Sequence, residues 1–465
     1  METLQRTANR GSISTGNYEI DNSLKFEPDN SEYIYRTPSS AGNRRTWTLS
    51  FWLKRTELGA SMRIFEAWDG STGTSALFTD ADLFILDLNA GSNYFTSSGV
   101  FRDTAAWYHF VIRVDTTSGT ASERARVYVN GSELAGSWNS NIGQNTDLTW
   151  NQDVAHNFAR FHNNDSFVSG YYAEIINVDG TSLAPTAFGE VDEDSGIWIP
   201  IDASPTYGTN GFKLEFKTAG GLGADTSGNG HTWTLNAIAA ADQATDTPTN
   251  NFCTLNPLVN FKYGTNAGGM TNGATVFGDN TGGGIGGAFG TFGVTAGKWY
   301  WEVKLTQQSS HYIGVSAVDD GDNVKSSSDP HQINSTFNFN IGAARIEYIN
   351  GGSVTAGSLD AFTDFHTVGD IIGIALNMDD NQISIYGNGT LQAGVAASSL
   401  YDAANKMVVP FHGTINDECQ YNFGGYSVWT PSSAVNDANG YGTFEYSPPS
   451  GYYSLCTKNL SEYGG

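Results

Sequence analysis

Residues 171–257 contain YYAEIINVDGTSLAPTAFGEVDEDSGIWIPI (171–201), YGTNGFKLEF (207–216), GADTSGNGHTWT (223–234) and DTPTNNFCTLNP (246–257). Gly, Asn, Asp and Pro interrupt this stretch every few residues. Between the interruptions apolar residues recur at period two, as in Phe212, Leu214 and Phe216, which is the spacing of a strand rather than a helix. The stretch closes one β-rich unit, crosses a polar segment and opens a second unit. The chain has 465 residues, and at ~100–200 residues per domain two or three cores are expected. With 55 glycines, 13% aromatic and only 15% charged residues, the composition is that of a large β protein with Gly/Asn/Asp/Ser turns.

The strand pattern extends to both sides. In NRRTWTLSFWLKRT (43–56), Trp47, Leu49, Phe51 and Leu53 share one face, with Thr48, Ser50 and Trp52 on the other. WYHFVIRVDTTSG (107–119) aligns Tyr108, Phe110, Ile112 and Val114, and RARVYVNG (124–131) ends in Asn130-Gly131, a pair that tolerates the positive φ of a tight hairpin. Downstream, GKWYWEVKL (297–305) places Trp299, Trp301, Val303 and Leu305 on one face. Many short strands without a sustained helical period predict an all-β fold, two antiparallel jelly-roll-like β-sandwiches in series. The expected divisions are an arm at 1–20, either frayed or a docking segment, a sandwich over 21–240, a linker over 241–255, a second sandwich over 256–440 and a tail over 441–465.

The net charge of −25 repels phosphate backbones, so no nucleic-acid partner is expected. No apolar run approaches ~18 residues, so no membrane insertion is expected, and METLQRTANRGSIST lacks the apolar stretch of a secretory signal. Cys253, Cys419 and Cys456 are odd in number and widely spaced, without a C-x-x-C pair, and read as buried thiols of a protein made in a reducing cytosol.

SLKFEPDNSEYIYRT (23–37), LSFWLKRT and the pair WYHFVIRVD with ARVYVNGSEL make the first unit resemble a laminin-G or concanavalin-like domain over about residues 22–180. The D-x-S-G-N-G turn at 225–230 usually opens bacterial domains of this class. Here it closes the unit, which implies a permuted arrangement or a strand returning to the sheet. The order KWYWEV, YIGVSAVD, ARIEYIN, DIIGIALNMDDNQISIYGNG and VVPFHGTINDECQYNFG resembles a SPRY domain over about residues 275–425. The ending SPPSGYYSLCTKNLSEYGG, together with PTNNFCTLNP, resembles phage virion structural proteins that join two such domains.

Catalytic signatures are sparse. Retaining glycosidases of the concanavalin-like class carry E-x-D-x-x-E on one strand. Glu190-Val191-Asp192 begins that pattern, but Ser195 stands where the last Glu is needed, and the stretch reads as a turn with Asp194 or Ser195 satisfying local amides. The glycine-rich run 282–293 lacks G-K-[ST], and neither H-E-x-x-H nor G-x-S-x-G occurs. The chain is therefore expected to be no enzyme. No cofactor is required. Calcium is the ion the laminin-G resemblance allows, with Asp69, Asp165, Asp225 and Asn229 as candidates and Asp225 and Asn229 foremost, against the alternative that these are ordinary turn residues.

Sandwich loops that mix aromatics with Asn/Asp are candidates for sugar contacts in the first unit, at Tyr94, Trp138, Trp150, Asn163 and Asp165; in the second, the SPRY resemblance implies a ligand surface on loops between strands, which here would include His311, Tyr312, Asp320 and His331. The resemblance implies a non-enzymatic virion protein, assembled in the host cytoplasm. It would be a tail-fibre, tail-tip or head-fibre adhesin that contacts host surface glycans and other virion proteins as a homo-oligomer, a trimer by analogy with fibres. The alternatives are a capsid decoration or tail structural protein and, more remotely, a glycan depolymerase.

Overall fold

The computed structural model describes residues 18–193, 195–263, 269–278, 285–307, 310–317, 336–341, 345–350, 353–356, 367–396, 407–415 and 418–464. The chain divides into two compact units between Thr249 and Asn250, each built on two large, mainly antiparallel sheets, with a further two-stranded sheet, Gly189–Val191 with Trp198–Pro200, in the first.

In the first unit the central strand is Thr46–Arg55. Its inward face, Trp47, Leu49, Phe51 and Leu53, is wholly buried. The strand pairs with Tyr108–Asp115 on one side, Phe51 opposite Phe110, and with Gly170–Asp179 on the other. The facing sheet runs Gly136–Trp138, Tyr94–Val100, Leu83–Asp87, Gly73–Phe78, Met62–Trp68, Ala155–Phe158, Tyr33–Arg36, Thr234–Asn236. Asn130 and Gly131 have φ of 48° and 78° and make a two-residue hairpin between Ala125–Val129 and Ser132–Glu133. Trp233 is buried, and Thr234–Asn236 joins the sheet edge beside Tyr33–Arg36, so the turn at 225–230 feeds a strand that returns to the sheet.

The segment read as a linker, 241–255, is instead built into the two units. Gln243–Ala244 pairs with Ser23–Phe26. Lys25 Nζ lies 2.8 Å from Asp242, and Lys54 Nζ lies 2.7 Å from Asp246, whose other oxygen accepts from Trp107 Nε1 at 3.0 Å. On the far side of the boundary, Asn251 N donates to Thr457 Oγ1, and Leu255–Tyr263 is a strand of the second unit. Small polar residues suggested a solvated connection. Here they supply partners for cations that the sheet buries.

The second unit is organised on Lys298–Leu305. Trp299, Trp301, Val303 and Leu305 face the core, while Tyr300 meets Ala375 and Phe444 on the other side. The strand lies between Ile371–Asn377 and Glu418–Asn422, and Tyr453–Ser454 adds to it in parallel. The tail is thus part of the sandwich. Leu455 and Cys456 are buried and a helix spans Thr457–Tyr463. The three cysteines are buried, and no disulfide occurs among the described residues. No helix among the described residues is long and apolar enough to cross a membrane.

Two predictions follow from the buried charges of the first unit. Asp246→Ala leaves Lys54 buried without its carboxylate, and such a loss costs about 3–5 kcal/mol. Denaturant unfolding should show an earlier transition for the first unit and an unchanged one for the second. Glu174 stands at a bulge with φ 43°, and burial, only partly offset by Lys213 and the Tyr18 hydroxyl, raises its carboxyl to about 7. An acid raised in the folded state binds its proton more tightly there. Its contribution is therefore full below its unfolded value and is lost as pH rises towards 7. Melting temperature should fall across that window, and Glu174→Gln should flatten the fall; an equal slope in the variant would refute the assignment.

Candidate functional site

Alternation along the second sheet of the first unit sends Leu86, Ala76, Phe65, Phe158 and Ile34 into the core. The intervening residues point to the opposite face, and lateral pairing brings them into one row across seven strands. Tyr94 lies opposite Asp87, Asp87 opposite Ser75, and Ser75 opposite Glu66. Glu66 then lies opposite Asn157, Asn157 opposite Tyr35, and Tyr35 opposite Thr234. The row begins and ends in partly or fully exposed groups, Tyr94 at one end and Tyr35 and Thr234 at the other. Ser75, Glu66 and Asn157 between them are buried.

Residues 159–167 cover the middle of the row. His162 stacks on Trp68 at 4.2 Å with planes 2° apart, and its backbone N and Nδ1 both reach Glu66 Oε2, at 2.7 and 3.1 Å. The Arg63 guanidinium sits 4.2 Å from the Phe161 ring and donates to Ser75 Oγ at 2.7 Å. Arg160 lies 4.0 Å over the Tyr33 ring and donates to Asn157 Oδ1 at 3.1 Å. Asn163 and Asp165 are exposed at the tip of this loop.

The electrostatics follow from partial burial. Burial raises the Glu66 carboxyl, with Arg63 and His162 opposing it. Burial likewise raises Asp87, against the amides of Asn89 and Gly91 and against Arg63. Arg63 is lowered by its own burial, and Glu66, Asp87 and Asp165 pull it back. Both carboxylates are committed to the frame: Glu66 holds the loop, and Asp87 accepts Asn89 N and Gly91 N. Arg63 Nε, Arg160 Nε and Asn157 Nδ2 are buried and have no hydrogen-bond partner. Rings stacked with a histidine and two guanidinium groups thus sit beside fixed amide and carboxylate groups on this face.

Two family models match the chain: the concanavalin A-like lectin/glucanases superfamily over residues 28–175 and the SPRY domain over residues 298–426. The chain carries a concanavalin A-like/laminin-G domain and a SPRY domain in series. Among solved structures it is similar to the SPRY domain of human HERC1, with 18% identity over 36% of this chain and 96% of that one, at a TM-score of 0.27. A putative carbohydrate binding protein from Bacteroides ovatus gives 17% identity over 48% and 60%, at 0.35. Mouse laminin alpha1 domains LG4-5 give 10% identity over 86% and 84%, at 0.30. A comparison with curated proteins gives no match.

Within the laminin-G domain, Tyr94, Asn163 and Asp165 lie on or beside the row, whereas two other expected sugar contacts do not. Trp150 is wholly buried, donating to Asn177 Oδ1 at 2.9 Å and meeting Phe65 edge-on at 4.9 Å. Trp138 lies opposite Phe95, 5.6 Å between ring centroids, and so caps the core at the sheet edge. In the SPRY domain, His311 and Tyr312 are buried within the strand Ser310–Ala317 and are not loop residues. Asp320 and His331 lie outside the described residues. Glu66, Asp87, Asn157, Tyr35, Arg63 and Arg160 were not anticipated. Their signal was the alternation in MRIFEAWDG, where Glu66 and Trp68 interleave with Phe65 and Ala67.

The pair expected to bind calcium is occupied by the turn itself. Asp225 Oδ1 accepts Lys213 N and Ser227 N, and Oδ2 accepts Ser227 Oγ and His231 N, which uses the ~four acceptor sites of a carboxylate. Burial raises Asp225, but those amides outweigh it and lower the group overall. Asn229 Nδ2 bridges the carbonyls of Gly208 and Gly211. This donor set does not fit a cation. Glu190 is exposed on the hairpin Gly189–Val191/Trp198–Pro200; Asp192 Oδ1 accepts Ser195 N and Oγ, Ser195 Oγ in turn accepts Ile197 N at 3.3 Å as expected, and Asp194 lies outside the described residues. Asp225→Ala is expected to destabilise the laminin-G domain by about 1–3 kcal/mol through unsatisfied amides. Millimolar calcium should leave the melting temperature of the unaltered domain unchanged; a calcium-dependent rise abolished by Asp225→Ala would show that the turn does take a cation.

Proposed function

We propose that the chain is a non-enzymatic glycan-binding protein whose laminin-G domain holds a sugar on the Tyr94–Tyr35 face. The observation that carries this reading is the register row, with partly exposed Tyr94 and Tyr35 towards its two ends and Arg63 and Arg160 held over the Phe161 and Tyr33 rings beside it. A pyranose offers hydroxyls that both accept and donate, and apolar C–H faces that lie on rings. The commitment of Glu66 and Asp87 to backbone and loop argues for binding without hydrolysis. Single contacts of this kind are weak, so useful affinity comes from repetition on an oligomer.

The resemblance of residues 447–465 and 248–257 to phage structural proteins supports placing this binder on a virion, as a tail-fibre, tail-tip or head-fibre adhesin for host surface glycans. The SPRY domain is then the natural partner of other virion proteins, and calcium has no required part.

A glycan array with the purified full chain should reveal a preferred surface glycan. Tyr94→Ala and Tyr35→Ala should each weaken binding about tenfold, the loss typical of a contributing ring. The bound glycan should show no new reducing ends. Binding that survives both substitutions would place the site elsewhere, and release of reducing ends would convert the reading to a depolymerase. Immunogold label on projecting fibres or the tail tip of phage particles would support the adhesin assignment, and uniform label on the capsid would favour a decoration protein.

A further inference from the structure

The interior of the SPRY domain holds a polar cluster that the sugar-binding reading does not use. His311 on Ser310–Ala317 and His412 on Val408–Ile415 come from neighbouring strands, His412 standing opposite Ile313, so the two histidines lie two positions apart on one sheet face. Cys419 comes from Glu418–Asn422 in the facing sheet. All three side chains are wholly buried, and one donor atom from each lies within 4.8 Å of the other two.

Each histidine is oriented through its remote nitrogen. His311 Nε2 is 3.2 Å from the Gln307 carbonyl, which can only accept, so the proton sits on Nε2 and the Nδ1 lone pair faces Cys419 Sγ at 3.1 Å. His412 Nδ1 is 2.9 Å from the Tyr421 hydroxyl, and His412 Nε2 is buried with no hydrogen-bond partner. With the proton on Nδ1 donated to the Tyr421 oxygen, Nε2 presents a lone pair to the cluster. Two imidazoles, each with one nitrogen held by oxygen and a ligand atom within 4.8 Å of the same thiol, have the arrangement that orients ligands around a metal.

We propose that His311 Nδ1, His412 Nε2 and Cys419 Sγ bind a zinc ion in the SPRY core. Two nitrogens and a thiolate suit zinc, which takes bonds of ~2.0–2.1 Å to nitrogen and ~2.3 Å to sulfur in a tetrahedron. Reaching that geometry requires shifts on the order of 1 Å from the spacing seen here. On binding, the Cys419 S–H bond breaks, a Zn–S bond forms and the proton leaves to solvent; no electron is transferred. Three protein ligands leave a fourth position for a water molecule. Because the cluster is interior, zinc enters while the sandwich folds and thereafter ties the two sheets together. This inference stands independently of the glycan-binding reading.

The test is to express the full chain with added zinc, and separately to refold it with zinc or cobalt(II), then measure bound metal and the thiolate-to-cobalt charge-transfer absorption in the near ultraviolet. About one metal per chain is expected, with that absorption present and the melting temperature raised over metal-free protein. His412→Gln and Cys419→Ser should each lower affinity at least tenfold. The Cys253→Ala/Cys456→Ala double variant, in which Cys419 is the sole thiol, should keep the absorption. Should the site variants fail to fold, the unaltered chain and the double variant still decide. Failure of the unaltered chain to take up metal by either route would overturn the site and leave only a Cys–His hydrogen bond. So would binding unaffected by both site substitutions, or absorption lost only with Cys253 and Cys456.

Discussion

Lateral pairing in an antiparallel sheet decides which side chains of the first unit can act together. A one-residue slip of Met62–Trp68 against its neighbours would exchange Glu66 and Trp68 for Phe65 and Ala67, sending a carboxylate into the core and a phenyl ring into water. The interior therefore specifies the exterior. Phe65 meets Phe158 and Trp150 inside, and that packing sets Glu66 beside Asn157 and Ser75 outside. Irregularities between Arg63 and Phe65 and between Leu83 and Ile85 adjust the alignment without breaking the row. Arg63 at the first of them reaches both Ser75 and the Phe161 ring.

The first unit also buries charged groups, both within one segment and where segments far apart in sequence meet. Lys54 with Asp246, Lys25 with Glu32 and Asp242, and Arg55 with Asp82 are ion pairs with at most 10% of either side chain exposed. Such pairs add little net stability over apolar residues of equal volume, because desolvation offsets the attraction, but each punishes misplacement of its partner. They fix where the chain returns to the sheet after long excursions. In the SPRY domain Glu302 has this role without a cation. It accepts Glu445 N at 2.9 Å and Tyr446 N at 2.8 Å and so fastens the C-terminal segment to the central strand.

These features explain which parts of the molecule were legible in the sequence. Strand identity was, because Trp47, Leu49, Phe51 and Leu53, or Trp299, Trp301, Val303 and Leu305, announce a buried face by spacing alone. The Asn130-Gly131 hairpin was legible from backbone preference. Residues 241–255 were misread because composition records that Asp246 and Asn251 are small and polar and is silent on the buried groups they meet. Trp150-Asn151 and His311-Tyr312 were misread for a related reason. An aromatic beside an amide or an imidazole looks like a sugar contact, yet Trp150 finds Asn177 and His311 finds Cys419 inside the protein, through pairings more than twenty residues apart. At Asp225 a loop ligand and a loop-holding acceptor use the same residue types, and only the direction of the neighbouring amides, which here point at the carboxylate, separates them.

The polar row of the laminin-G domain and the His–His–Cys cluster of the SPRY domain fall on different sides of their sheets. In the laminin-G domain Glu66 and Asn157 belong to an outer face, covered by the loop 159–167 and flanked by the partly exposed Tyr94 and Tyr35. In the SPRY domain the Nε2 of His412, buried without a hydrogen-bond partner, lies in the interior near His311 and Cys419. An outer row and an inner cluster are products of the same strand geometry. One architecture can do both because the strand alternates: each successive residue is offered either to the solvent or to the interior, and the polar ones take their chemistry from the side on which they fall.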